Sequence, residues 1–196
     1  TVEEKLPGHL KDSQSGWLTA EYSMLPASSQ RRVQREAVSG KIKGRTHEIQ
    51  RIIGRSLRTA VDLEKIGPRT LWFDFDVIQA DGGTRTASIN GGYVVLYQLL
   101  KKLYDDKIIA SFPIKHQIAA ISLGLVKNEI LMDLDYEEDS MADVDINIIL
   151  NDKFELIEIQ GTAEESSFTF EHLTGFYDLA KKGVEQIFKI QNSALV

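Results

Sequence analysis

The segment LWFDFDVIQADGGTRTASING, residues 71–91, joins an alternating pattern to a glycine-rich turn and then to a helix start. Apolar residues occupy every second position of its first half, which indicates a strand with one buried face. The turn offers hydroxyl groups and the guanidinium of Arg85, all of which can donate hydrogen bonds to an anion. Glycine lets the backbone come close to such a ligand. The segment therefore predicts a strand–turn–helix unit that binds phosphate at the helix start; the alternative is a tight turn with a surface arginine.

The pattern on either side gives the order strand, helix, strand, helix, four strands, helix. Strands are predicted over residues 16–25, 70–79, 118–126, 129–135, 144–151 and 154–164, and helices over 45–61, 88–106 and 169–194. Residues 28–44 are predicted to form a basic helix or arm with glycines near its C-terminal end. Hairpins among the later strands favour an α+β fold with mixed sheets over a regular parallel alternation.

The composition bounds the class of protein. The chain has 196 residues, of which 42% are hydrophobic and 27% charged, so we expect a single globular domain over residues 1–196. No apolar run is long enough to span a bilayer, which predicts no membrane association. The polar, acidic N-terminal segment does not resemble a signal peptide, and the absence of cysteine suits a reducing compartment, so we expect a cytoplasmic protein.

Charge is distributed unevenly along the chain. The formal net charge is −6, yet residues 31–58 contain nine Lys or Arg and two Glu, whereas residues 133–145 contain seven acids and no base. A local basic stretch can hold a polyanion while the chain as a whole stays acidic. The alternative for either stretch is an ordinary solvated charged face.

Two further positions are candidates for chemistry. Arg45 precedes a helix and is a second candidate anion ligand. Asp139 and Asp145 flank a short segment before an apolar strand, where they predict either a Mg²⁺ site or a proton donor for a leaving oxygen. The alternative is an exposed acidic loop. Neither a P-loop nor a GxGxxG motif is present, so nucleotide binding of those kinds is not supported.

Five stretches together resemble the ribonuclease PH family, in order and in spacing: GWLTAEYSMLP, GRTHEIQRIIGRSLR, FDFDVIQADGGTRTASI, LDYEEDSMADVDIN and EIQGTAEESSFT. The resemblance implies a ribonuclease PH-like fold, of the ribosomal protein domain 2-like type. It also implies a phosphorolytic 3′-to-5′ exoribonuclease, or tRNA nucleotidyltransferase, that trims precursor tRNA and uses inorganic phosphate and a divalent metal such as Mg²⁺. The implied partners are RNA and further copies of the chain in a homohexamer built as a trimer of dimers.

The resemblance also assigns roles to individual residues. It implies that Arg45, Gly83, Thr84 and Arg85 bind phosphate, that Asp139 and Asp145 bind metal and transfer a proton, and that Arg31, Arg32 and Arg35 contact RNA.

Two departures from the family pattern affect these expectations. Ala27 stands where family members commonly carry an arginine, which is expected to weaken RNA contact. The family's N-terminal strands have no counterpart, so we expect a chain that is truncated relative to the family. The alternatives to a phosphorolytic enzyme are a non-catalytic RNA-binding subunit of an exosome-like ring and a hydrolytic ribonuclease.

Overall fold

A computed structural model describes residues 1–164 and 167–195, which pack as two compact units. The first unit comprises residues 1–80 and 92–116, and the second comprises residues 81–91 and 117–196. The single domain expected over residues 1–196 stays a prediction, because a division into compact units does not by itself decide the number of domains. No helix in the described ranges is long and apolar enough to cross a membrane.

The first unit is built around a three-stranded sheet. Strand β1 covers Val2–Glu3, β2 covers Trp17–Met24, and β3 covers Thr70–Val77. The central strand, β3, runs parallel to β2 and antiparallel to β1. Helices α1 (Glu36–Ser39), α2 (Gly44–Thr59) and α3 (Leu63–Ile66) complete the part of this unit before residue 80.

Helix α2 forms where the apolar spacing predicts it. Its apolar residues recur every three or four positions, so they lie on one helical face. That face is buried as expected at Ile49, Ile52, Ile53 and Leu57, and Ala60 and Val61 are buried just beyond the end of the helix. The basic segment before it is mostly an arm: only the four residues of α1 are helical between β2 and α2.

The second unit contains a four-stranded antiparallel sheet. Its strands are β4 (Ile118–Val126), β5 (Glu129–Met132), β6 (Val144–Asn151) and β7 (Leu156–Ala163), in the spatial order β5-β4-β6-β7. The expected turn between β4 and β5 is present, with positive φ angles of 50° at Lys127 and 69° at Asn128. Positive φ at two successive turn residues matches the twist of a tight hairpin.

Two long helices and one short helix accompany this sheet. Helix α4 covers Thr84–Asp105 and is divided between the units after Gly91; α5 covers Tyr136–Met141 and α6 covers Phe170–Ala194. The buried face of α6 packs on alternate residues of β4 and β6, at Ala119, Ile121, Leu123, Leu125, Val144, Ile146, Ile148, Leu150, Phe176, Ala180, Val184 and Phe188. The intervening residues of those strands therefore face away from α6.

The start of α4 is fixed to β4. The Asn90 side-chain amide donates to the Ala120 carbonyl oxygen at 2.9 Å and accepts from the Ala120 amide at 2.7 Å. The Gln191 side chain from α6 donates in turn to the Asn90 carbonyl oxygen at 3.1 Å. These bonds hold the first turns of α4 against the second sheet, and so they position the turn that precedes the helix.

Candidate phosphate and RNA site

The turn before α4 is shaped by two consecutive glycines. Gly82 has a φ of 79° and Gly83 a φ of 56°, values that other residues adopt rarely. The Gly83 carbonyl oxygen accepts a hydrogen bond from the Thr86 hydroxyl at 2.8 Å. Helix α4 begins at Thr84, so Gly83, Thr84 and Arg85 lie at a helix N-terminus. The partial positive charge there favours an anion, as the sequence predicts.

Arg85 is held by a residue from β7. Its Nη1 donates to Oε1 of Gln160 at 2.9 Å. Gln160 lies opposite Asn147 of β6, which lies opposite Ser122 of β4. We call these three residues, Ser122, Asn147 and Gln160, the polar row, because they cross three adjacent strands side by side. Arg85 is therefore anchored to the sheet, unlike a mobile surface arginine.

The polar row is largely shielded from solvent. Ser122 is 7% exposed and Asn147 is 5% exposed. The Ser122 Oγ is a buried atom with no hydrogen-bond partner among the described residues. A Cβ atom placed on Gly83 would lie 3.5 Å from that hydroxyl oxygen. The glycine turn thus packs directly on the face of the sheet that points away from α6.

Asp145 lies on the same face as the polar row. It precedes Asn147 by two residues in β6, and residues at that spacing point the same way, about 7 Å apart. Asp145 pairs with Gly124 of β4 and Thr162 of β7, one position along from the polar row. The second unit therefore brings a carboxylate and the anchored guanidinium of Arg85 to one polar face.

Asp139 lies in a short helix, whereas the alternative interpretation of this segment was an exposed acidic loop. The segment forms α5 because Asp135 caps it: the Asp135 side chain accepts from the Glu138 amide at 2.8 Å, and the Glu138 side chain accepts from the Asp135 amide at 3.2 Å. The Asp81 side chain accepts from the Tyr136 amide at 3.2 Å, which links this helix to the loop before the glycine turn. Asp139 is exposed on α5.

The donor set around the two aspartates is small. Among residues 1–164 and 167–195 there is no group of three or more His, Cys, Asp or Glu side chains that could hold a metal ion. Mg²⁺ is commonly bound by one or two carboxylates, with water and substrate phosphate filling its other positions. Asp139 and Asp145 each carry carboxylate oxygens, the type of ligand that Mg²⁺ prefers.

The remaining basic candidates belong to the first unit. Arg31, Arg32 and Arg35 are exposed in the arm before α1, and Arg45 is exposed in the first turn of α2. Glu36 ties the two helix starts together, accepting from the Thr46 hydroxyl at 2.7 Å and from the Lys43 amide at 3.1 Å. The arm therefore presents its arginines outward while its end is fixed beside α2.

Arg58 is a different kind of arginine. Its guanidinium lies 4.5 Å from the centre of the Trp17 ring, and Nη1 donates to the Leu18 carbonyl oxygen at 2.8 Å. Burial lowers the pKa of Arg58, and the charge of Arg55 lowers it further. Arg58 and the partly buried Trp17 are therefore structural partners within the first unit.

Reasoning from the sequence missed the polar row. A signal was present, because Asn147 and Gln160 interrupt otherwise apolar strands at alternate positions. Polar residues at such positions indicate a face with a ligand or a hydrogen-bonding role. The pairing of β4 with β6, which brings Ser122 beside Asn147, skips over β5 and therefore cannot be predicted from a local pattern.

Comparison with known families gives a match over most of the chain. Domain 1 of the 3′ exoribonuclease family matches residues 1–100, and domain 2 matches residues 116–183. The chain is 51% identical over 194 residues to ribonuclease PH of Syntrophomonas wolfei, covering 99% of this chain and 81% of that protein. It is 50% identical over 195 residues to ribonuclease PH of Moorella thermoacetica, covering 100% of this chain and 78% of the relative.

Solved structures share the fold at much lower identity. One is the Archaeoglobus fulgidus exosome with RNA bound to the active site, with a TM-score of 0.78, 16% identity, and coverage of 96% of this chain and 76% of the other. Another is rice (Oryza sativa) Rrp46, with a TM-score of 0.73, 16% identity, and coverage of 100% and 81%. These likenesses confirm the α+β fold with mixed sheets. With the family match and the close relatives, they show that the chain belongs to the ribonuclease PH family of 3′ exoribonucleases.

Proposed function

We propose that this chain is a phosphorolytic 3′-to-5′ exoribonuclease, a tRNA nucleotidyltransferase that trims the 3′ end of precursor tRNA. The observation that carries the proposal is the polar face of the second unit. There Arg85, anchored at a helix N-terminus, and Asp145 share one side of a sheet, in a chain 51% identical to a ribonuclease PH. A site that binds phosphate beside a carboxylate has the groups needed for phosphate to attack a phosphodiester and for the leaving oxygen to be protonated.

Phosphate binding is assigned to Gly83, Thr84, Arg85 and Arg45. Phosphate and RNA are both anionic, so their repulsion has to be offset before they react. Helix N-terminal amide groups and arginine guanidinium groups do this without a proton transfer, and preorganised donors of this kind are the usual means of catalysing phosphoryl transfer.

The reaction balances as an exchange of phosphate bonds. A phosphate oxygen attacks the phosphorus of the last phosphodiester, and the bond from that phosphorus to the 3′ oxygen of the penultimate nucleotide breaks. The products are a nucleoside 5′-diphosphate and an RNA shorter by one nucleotide. The leaving 3′ oxygen takes up a proton, and Asp145, together with Asp139, is assigned to that end of the reaction.

Asp139 and Asp145 are also the residues that would hold a Mg²⁺ ion. When bound, such an ion would stabilise the negative charge that develops on the reacting phosphate oxygens. The two carboxylates themselves orient the site and handle the proton at the leaving oxygen.

The arm before α1 is assigned to RNA. Arg31, Arg32 and Arg35 are exposed and would contact the phosphates of a single-stranded 3′ tail.

We further propose a homohexamer built as a trimer of dimers, with a single catalytic domain in each copy. Such an assembly would repeat the basic surface of the arm around a closed ring. A cytoplasmic location, with roles in tRNA and rRNA processing, completes the proposal and suits a chain without cysteine.

The test is product analysis on a tRNA that carries a 3′ extension, with and without inorganic phosphate. Phosphorolysis should shorten the RNA only when phosphate is present and should release nucleoside diphosphates. Release of monophosphates without phosphate would establish a hydrolytic ribonuclease instead. Binding of RNA with no shortening under either condition would establish the non-catalytic ring subunit.

A further inference from the structure

The contact between Arg85 and Gln160 links a helix start to an edge strand of the same unit. An arginine side chain has many rotamers, and holding it in one of them costs conformational entropy. The hydrogen bond of 2.9 Å from Nη1 to Gln160 Oε1 restricts those rotamers before any ligand arrives. Gln160 is itself located by pairing with Asn147 in the β6–β7 ladder.

The chemical type of the partner matters as much as its position. A guanidinium has five N–H donors, so one hydrogen bond to an amide oxygen uses one of them. The amide is neutral, and it therefore leaves the positive charge of Arg85 in place. A carboxylate at the same position would orient the side chain equally well but would offset its charge and compete with an anion.

We propose that Gln160 is a positioning residue for phosphate: through a neutral amide it holds the Arg85 guanidinium in place for the anion. This inference rests on the proposed function, in which Arg85 binds phosphate. Gln160 acts through Arg85 and does not touch the reacting atoms. Its loss should therefore weaken the use of phosphate and should leave the use of RNA unchanged.

Two variants of Gln160 test the proposal in the 196-residue chain. Gln160→Leu removes the acceptor, and Gln160→Glu keeps the shape but introduces a charge. Initial rates are measured against phosphate at saturating RNA, and against RNA at saturating phosphate. Gln160→Leu should raise the KM for phosphate by about tenfold, the value of one hydrogen bond to a charged group. Gln160→Glu should also raise it, because the new carboxylate competes with phosphate for the guanidinium. The KM for RNA and kcat should stay within about twofold.

Glu155→Gln is the matched control. Glu155 lies just before β7, where its carboxylate accepts from the Asn151 side chain at 2.7 Å, outside the polar row. This variant should keep the normal KM for phosphate. An unchanged KM for phosphate in both Gln160 variants, or an equal rise in the control, would overturn the proposal.

A double-mutant cycle with Arg85→Lys separates this inference from the proposed function. If Gln160 acts through Arg85, adding Gln160→Leu to Arg85→Lys should cause little further loss, whereas independent roles would give additive losses and contradict the proposal. A normal KM for phosphate in Arg85→Ala alone, which removes the cation, would instead reject the phosphate role of Arg85. Thermal denaturation with and without inorganic phosphate measures phosphate binding independently of catalysis. The rise in melting temperature that phosphate causes should be smaller in Gln160→Leu than in the unaltered chain. An equal rise in both would contradict the positioning role of Gln160.

Discussion

The surroundings of Arg85 and Arg58 give the same side chain two different tasks. Arg58 is stacked on Trp17 and hydrogen bonded to a strand carbonyl, and burial lowers its pKa. Arg85 is partly exposed, and it is bonded to the neutral amide of Gln160 at a helix N-terminus. Arg58 therefore contributes to packing, whereas Arg85 retains access to solvent and to an anion.

Arg85→Ala should lower phosphate-dependent trimming at limiting phosphate by about 100-fold, because it removes a charged donor aimed at the reacting anion. Arg85 is partly exposed, so the free energy of unfolding should fall by only about 1 kcal/mol. Rates at several phosphate concentrations and a denaturation curve check both numbers. Lys189→Ala, which removes a cation from α6 on the other side of the sheet, is the control. Normal trimming by Arg85→Ala at low phosphate would reject the assigned role.

Asp145→Asn should reduce kcat by about 10²- to 10⁴-fold and should not raise the KM for phosphate. The amide has the size of the carboxylate but can neither bind a metal well nor carry the proton to the leaving oxygen. Single-turnover trimming of a labelled RNA, with Mg²⁺ varied, measures the effect. An Asp145→Asn variant that trims RNA at the rate of the unaltered chain would show that Asp145 has no catalytic role.

The sequence predicted the regular elements well and the short ones poorly. Strands β3 and β6 and helices α2 and α6 have enough residues for a period of two or about 3.6 to be visible. Helices α1, α3 and α5 have only four to six residues, and β1 has two, so no period can be read from them. Their formation depends on caps and strand pairing. In α5 the Asp135–Glu138 capping box turned an expected loop into a helix.

The order of the strands in the second sheet could not be predicted from local sequence patterns either. Hairpins predicted that β4 and β5 are neighbours, but nothing local shows that β6 lies between β4 and β7. That order creates the polar row, because it places Asn147 between Ser122 and Gln160. Gly83, Thr84 and Arg85 were therefore predictable from the turn itself, whereas the anchor of Arg85 was not.

The glycine turn before α4 makes a prediction of its own. Gly82→Ala should destabilise the chain by about 1–3 kcal/mol and lower activity, for two reasons. The φ of 79° disfavours alanine, and the added Cβ would overlap the Leu134 carbonyl oxygen. Gly91→Ala is the matched control, because that helical glycine has open space around it and alanine favours helix by about 0.5–1 kcal/mol. Chemical denaturation compares the two. Equal stability of both variants would show that the turn conformation is not required.

Over the whole chain, acidic and basic residues are segregated. The net charge of −6 coexists with a basic stretch in the first unit and an acidic stretch in the second. The net charge of the chain therefore does not predict its binding partners, whereas the local basic stretch predicts a polyanionic partner. A polyanion is attracted by the exposed arginines of the arm, and screening by salt should weaken that attraction in proportion to the number of phosphates neutralised.

The arm can be tested by its salt dependence. Replacing its three arginines by glutamine should make the plot of log binding constant against log salt shallower by about 2 for a single-stranded RNA, since each phosphate contact contributes about 0.7. The KM for phosphate should not change, because the arm is assigned to RNA alone. The arm variant is Arg31→Gln, Arg32→Gln and Arg35→Gln, and the control variant is Lys65→Gln, Lys101→Gln and Lys102→Gln.

The control removes the same formal charge from the same unit. Lys65, Lys101 and Lys102 are each paired with a nearby acid, and for Lys101 and Lys102 the hydrogen bond to that acid, Asp105 or Asp106, raises the pKa. A lysine already held by a carboxylate is a poor ligand for an RNA phosphate, so the control should keep the original slope. Equal slopes in the two triple variants would mean that RNA responds to the charge of the whole molecule, and the arm would lose its assigned role. A change confined to the arm variant would locate the RNA tail there, because only contacts that release counterions alter the slope.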